Sequence, residues 1–191
     1  MPDYELNVVK TLEYKRPEID RGYADQTLSV DISNREVAIK PVDPKIKDVF
    51  VGGKGYDLWL LWNAVASTTR WNDPQNAICI ASGPLGGTPI YPGSGKSIVT
   101  SLSPLTGSAI DSNVGGYFGP YLKFSGFDAL QIQGKTSQDT VSYIDGIDGQ
   151  GQILAATGLP DTAYELSDLL TEPFAGGKPR SSSVVSAGPG A

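Results

Sequence analysis

Hydrophobic and polar positions alternate most clearly from Thr27 onward, where Leu28, Val30 and Ile32 share one face and Val37 and Ile39 follow after Ser33-Asn34-Arg35. A period of two broken by a turn-forming triplet predicts a β-hairpin. The period changes after Gly52-Gly53-Lys54-Gly55, where Leu58, Leu61, Trp62 and Val65 recur at helical spacing. The glycine turn therefore feeds a helix, whose start is either an anion site built from free N–H groups or a plain turn into a core helix. Ala77 to Ala81 and Ile98 to Thr100 are short apolar runs of strand length.

Gly119-Pro120 predicts a short helix through Phe124, with Gly126 placed to end it. Ala129 to Gln133 and Thr140 to Ile144 read as strands separated by a turn at Gly134-Lys135. Thr162 and Glu165 have capping-box spacing ahead of an apolar stripe at Ala163, Leu166 and Leu170, so a second helix should run toward Pro173. Ser182 to Ser186 is expected to be a last strand. Residues 1–26 carry Pro2, Pro17 and Gly22 among mixed charges and keep no period, and they are expected to form an extended N-terminal arm ahead of a domain at 27–191. The ending Gly188-Pro189-Gly190-Ala191 is a turn with no element after it, as though the continuation lay elsewhere.

Composition changes this picture mainly between Gly83 and Gly126, which hold ten of the chain's 23 glycines and only three charged side chains, Lys96, Asp111 and Lys123. Such a stretch must act through its backbone. Glycine admits positive φ and close approach by another body, so the segment either wraps a polar ligand with exposed main-chain groups or simply makes the turns of a β-rich domain. Gly95-Lys96-Ser97 is not the end of a phosphate-binding P-loop, because the position five residues before Gly95 is Ile90. Asp145-Gly146-Ile147-Asp148-Gly149 lacks the oxygen ligands of a calcium loop and reads as a turn.

The 191-residue chain has a net charge of −6 and no basic block, which argues against nucleic acid. It contains no histidine, which removes histidine-based nucleophile schemes and histidine metal ligands together. Cys79 is the single cysteine, so neither an internal disulfide nor a cysteine-held cluster can be built from this chain, and its apolar surroundings suggest a buried, inert thiol. The longest apolar run, Leu58 to Trp62, is far short of a membrane span and no signal-peptide pattern opens the chain, so the expected compartment is the cytoplasm. Any redox chemistry must come from a cofactor or a partner.

Four ordered blocks carry a more specific resemblance: Gly83-Pro-Leu-Gly-Gly-Thr-Pro89, Lys96-Ser-Ile-Val-Thr-Ser-Leu-Ser-Pro-Leu-Thr-Gly107, Asp111-Ser-Asn-Val-Gly-Gly-Tyr-Phe-Gly-Pro120 and Leu122-Lys-Phe-Ser-Gly-Phe-Asp-Ala129. Together with the glycine turn at 52–55 and the closing Gly188-Pro189, they resemble the N-terminal domain of the tungsten-dependent aldehyde:ferredoxin oxidoreductase family over roughly residues 27–191. The resemblance implies an α+β fold: a mixed domain dominated by two β-sheets with a few helices, forming the base of a cofactor site. The implied cofactor is tungsten, or molybdenum, held by two pyranopterin dithiolenes whose phosphates are linked by Mg2+.

By the same resemblance, Lys96 stands where a basic residue lies between the pterins; arginine is common there, and lysine keeps the charge while losing the planar fork. Ser97, Asp111, Asn113, Gly115 and Gly116 match the segments that surround the cofactor. Asn113 and Gly190 match positions offering backbone oxygen to magnesium. Asp111 remains open to reading as a turn-forming carboxylate. The family's cysteine ligands for a [4Fe–4S] cluster lie in later helical domains that this sequence lacks, so the resemblance implies a larger partner subunit carrying them, or else a fragment. The default reaction is oxidation of an aldehyde to a carboxylate, with electrons passed to ferredoxin. An aromatic acyl-CoA thioester reductase subunit and a non-catalytic pterin-binding or assembly module are the alternatives.

Overall fold

The computed structural model describes residues 4–178 and 180–188. Nine strands and four helices are found among them. A six-stranded sheet runs in the order β3 (Glu36–Pro41), β2 (Gln26–Asp31), β7 (Ala129–Gln133), β4 (Ala77–Ala81), β5 (Ser97–Leu102) and β6 (Ala109–Val114). Only the β2–β7 pair is parallel. A three-stranded sheet has the order β1 (Glu5–Glu13), β9 (Gln150–Thr157) and β8 (Thr140–Asp145), all antiparallel.

Period-two alternation explains how the two sheets meet. Leu28, Val30, Val37, Ile80 and Leu130 point to one face of the large sheet and join Ile153 of β9, Phe127 and Leu122 in the main core. Val9 and Leu12 of β1 and Ile144 of β8 pack against the same cluster. The opposite face carries the small residues Ala77, Cys79, Ala81 and Ala129, which let a helix approach closely. That helix is α2 (Lys54–Ala64), which sets Tyr56 and Leu61 against them.

Several expectations hold: the hairpin expected from Thr27 to Ile39 is β2–β3, the strands expected at 77–81 and 129–133 are β4 and β7, that at 98–100 lies within β5, and the helix expected from Gly119 is α3 (Phe118–Phe124), closed by Gly126 at φ +97°. In α4 (Ala163–Phe174) the hydroxyl of Thr162 accepts from the Glu165 amide at 3.4 Å and donates to its carboxylate at 2.7 Å. Asp145 closes its turn by accepting from the amides of Ile147 and Asp148.

Others are corrected. Residues 5–13 of the expected arm are a paired strand, β1, lying along β9. A bulge between Val8 and Lys10 sets Leu6, Val9 and Leu12 as its more buried positions, a spacing of three that hides the alternation. The buried face of α2 is formed by Tyr56, Asp57 and Leu61, while Trp62 is 77% exposed, because the narrow stripe of small residues accepts only one side of the helix. Ser182 to Ser186 is irregular chain with no strand partner. A helix not foreseen, α1 (Pro44–Phe50), starts from Asp43, whose carboxylate accepts from Lys45 N at 2.9 Å, with Pro44 at the first turn.

Candidate functional site

The residues singled out in the glycine-rich stretch converge at one end of the six-stranded sheet. The β5–β6 register pairs Ser97 with Val114 and Ile98 with Asn113, so Lys96 lies across the hairpin mouth from Gly115-Gly116. Lys96 is exposed and makes no ion pair among the described residues. Asn113, Gly115 and Gly116 are also exposed. A Cβ on Gly95 would lie 2.7 Å from the Gly116 carbonyl oxygen, so the two backbones touch and the mouth tolerates no side chain there. At Gly115 and Gly116 the missing Cβ would instead meet open space, although the Gly116 carbonyl oxygen is turned toward Gly95.

Ser97 is placed differently. It is 2% exposed beneath Gly119 of α3, and its hydroxyl has no hydrogen-bond partner among the described residues. Asp111 is engaged by the Lys54 ammonium at 2.6 Å. Gly190 lies outside the described residues.

Two further glycine loops close on this end of the sheet. The Gly53 amide donates to Ser82 O at 3.2 Å, and Gly52 packs against Ser82-Gly83. Phe50 fills the space beside Gly55, and Lys54 is engaged with Asp111, so the 52–55 turn joins parts of the fold together. Gly22, at φ +86°, presses on the Pro84 carbonyl oxygen, which a Cβ would approach to 2.1 Å.

Behind Gly22 lies a buried ion pair, Lys123 with Asp128, whose side chains are 2% and 1% exposed. Lys123 Nζ also donates to Gly22 O at 2.8 Å, while the Asp128 carboxylate accepts from the amides of Ala24 at 3.0 Å and Asp25 at 2.7 Å. The pair thus fixes residues 22–25 beneath the start of the glycine-rich stretch. Of the three charges in that stretch, the fold consumes Asp111 and Lys123 and leaves Lys96 at the surface. Sequence reasoning missed this pair, and it missed Asp57 of α2, a fully buried carboxyl whose Oδ2 lies 3.4 Å from the Thr100 hydroxyl. Burial pushes Asp57 up to about 8, with nearby Asp111 adding to the effect and hydrogen bonds from Thr100 and Ala81 opposing it. Burial, with Asp57 nearby, likewise pushes the Cys79 thiol up.

Among the described residues no group of His, Cys, Asp and Glu could hold a metal. The site offers one exposed cation, exposed chain at Asn113, Gly115 and Gly116 and open space at two glycines, while the Ser97 hydroxyl lies buried beneath it. That donor set suits a phosphate-bearing heterocycle that brings its own metal ligands. A profile of the aldehyde ferredoxin oxidoreductase N-terminal domain matches residues 27–191. The chain belongs to the aldehyde ferredoxin oxidoreductase family.

Members of this family with similar sequences include the tungsten-containing aldehyde ferredoxin oxidoreductase of Pyrococcus furiosus, 35% identical over 117 residues, covering 61% of this chain and 19% of that protein. The Thermococcus kodakarensis enzyme of the same name is 33% identical over 61% of this chain and 19% of its own length. An aliphatic sulfonate oxidoreductase, WOR-like subunit, from Pyrococcus furiosus is 30% identical over 64% of this chain and 20% of its length. The chain thus spans about one fifth of the length of these relatives. In fold it is similar to a chain in the active-site complex BamBC of benzoyl coenzyme A reductase, with a TM-score of 0.73 at 24% identity, covering 82% of this chain and 24% of that one. The family is one of oxidoreductases, and its tungsten-containing members imply a tungsten pterin cofactor. Among the described residues no helix is long and apolar enough to cross a membrane.

Proposed function

We propose that this chain forms one wall of a tungsten bis-pyranopterin pocket in a cytoplasmic, hetero-oligomeric oxidoreductase, and that the mouth of the β5–β6 hairpin is that wall. The observation that carries the reading is the convergence of Lys96, Asn113 and Gly115-Gly116 on one exposed, main-chain-rich edge. Lys96 supplies a point charge to a pterin phosphate. The backbone of Gly115 and Gly116 offers donors to the same anion, and the backbone oxygens of Asn113 and Gly190 are assigned to Mg2+. Ser97, named with them from the sequence, is buried beneath Gly119 and is given a supporting place behind the mouth. Asp111 acts through Lys54, by holding the strand that carries Asn113.

The bound tungsten, or molybdenum, supplies a two-electron couple, sufficient for R–CHO + H2O → R–COO− + 3H+ + 2e−. This chain binds and orients the group; the substrate site and a [4Fe–4S] cluster that passes electrons to ferredoxin are assigned to a larger partner subunit. A lone, buried Cys79 is consistent with that division. The test compares Lys96→Ala with Lys96→Arg in the natively purified complex by tungsten, magnesium and pterin content. Loss of one charge-assisted contact is worth about 1.5–3 kcal/mol, or roughly 10- to 100-fold in affinity. Alanine should deplete the cofactor and arginine should retain it; equal content in all three proteins would overturn the role given to Lys96.

A further inference from the structure

The hairpin that carries the proposed cradle has a weak outer strand. Among the described residues β6 is an edge strand paired with β5 alone, and its sequence Ala-Ile-Asp-Ser-Asn-Val includes an Asp and an Asn, which form strands poorly. Four of its six residues are exposed. On the helix-covered face, Thr100 of β5 and Asp111 of β6 are direct cross-strand partners. Lys54 and Asp57, three apart and therefore on one side of α2, reach that pair: Lys54 Nζ is 2.6 Å from Asp111, and Asp57 Oδ2 is 3.4 Å from Thr100 Oγ1.

We propose that Lys54 and Asp57 form a two-point clamp that positions the β5–β6 hairpin against α2. The two contacts tie both strands to the helix that starts at the glycine turn, close to where Lys96, Asn113 and Gly115-Gly116 emerge. Asp57 itself is 0% exposed, and its Oδ1 has no hydrogen-bond partner among the described residues.

Burial is the main reason Asp57 holds its proton, and the groups facing it do not reverse that. On its own helix Lys54 is committed to Asp111. From β6, Asp111 contributes like charge, and from β4 the Cys79 thiol is close enough to feel Asp57. From β5 the neighbour is the neutral Thr100 hydroxyl. Among the described residues no cation is paired with Asp57. A folded-state value raised from 3.8 to about 8 means that the native clamp keeps its proton while an opened clamp loses it above pH 4. Stability held in the clamp therefore falls as pH rises from about 4 to about 8, and is level above that. Asp57 and Lys54 are thus positioning residues. The clamp rests on the proposed cofactor reading only for what the hairpin holds.

Hydrogen exchange on the purified protein tests it, with rates converted to protection factors at each pH. Amides of α2, β5 and β6 should lose up to about tenfold in protection per unit between pH 5 and 7, while the β1–β9–β8 sheet shows no matching slope. Asp57→Asn, which keeps the shape and stays neutral, should remove the slope, and Lys54→Met should lower β6 protection with little effect on the small sheet. A flat profile in the unaltered protein, a slope of equal size in both sheets, or an unchanged slope in Asp57→Asn would each overturn the clamp. Pterin content measured on the same samples reports separately: a pterin-free protein with the predicted slope would sink the cofactor reading and leave the clamp standing.

Discussion

Removing Lys123 should cost this protein a large part of its stability. The side chain is 2% exposed and joins Asp128, itself 1% exposed, while also holding the Gly22 carbonyl at 2.8 Å. In Lys123→Met the hydrocarbon stem is approximately kept, but the Asp128 carboxylate stays buried with only the Ala24 and Asp25 amides to offset it. Breaking one side of a buried pair typically costs about 3–5 kcal/mol, against a total stability of about 5–15 kcal/mol for a domain. At roughly 2–4 °C per kcal/mol for a chain of this size, the midpoint should fall by about 6–20 °C. Circular dichroism melts of the unaltered protein, Lys123→Met, Asp128→Asn and the double variant close a mutant cycle. Because the double variant buries no uncompensated charge, it should melt above Lys123→Met. A fall of less than about 2 °C in Lys123→Met, or a double variant that melts below the unaltered protein by the sum of the two single losses, would refute this account of the pair.

Other outcomes follow from the same contacts. Gly22→Ala places a methyl 2.1 Å from the Pro84 oxygen at a φ of +86°, and should destabilise by about 1–3 kcal/mol through backbone strain, read as a lowered denaturation midpoint. Asp57→Asn should raise the midpoint at pH 7 by removing a linkage cost of about 2–4 kcal/mol, and should leave it nearly unchanged below about pH 3, where Asp57 is protonated folded or unfolded. Cys79, 0% exposed with its thiol pushed up by burial, should resist a thiol reagent in the native protein and react on denaturation. Ready labelling of the native thiol would contradict its placement behind α2.

What could be seen in the sequence depended on whether burial followed a simple period. β2, β3 and β7 are half-buried or central strands, and their alternation or continuous apolar runs were legible. β1 was not, because its bulge turns a period of two into a spacing of three. β6 was not, since an edge strand rich in polar residues is held by backbone pairing that leaves no apolar pattern. β9 lies between two partners, and Gly151 and two glutamines at its start leave no clear alternation to read. In α2 the period was read correctly and its phase was not, because the partner face is lined with alanine and cysteine and admits Tyr56 and Leu61 while leaving Trp62 outside.

The candidate site divides in the same way. Lys96, Asn113 and Gly115-Gly116 were named from the order of motif blocks, and the strand register brings them together. Asp111 and Ser97 are positioned by side-chain contacts that no local pattern announces. Lys123 and Asp128 look like ordinary solvated charges at the end of a helix and the start of a strand. Only the tertiary fold, through the sharp turn at Gly126, makes them a buried pair.

The most direct test of the central claim is metal and pterin analysis of the protein isolated anaerobically from its native source. The account predicts tungsten, or molybdenum, together with two pterins and magnesium, co-purifying in constant ratio with this chain and a larger cysteine-bearing subunit. A native preparation containing this chain with neither metal nor pterin would contradict it.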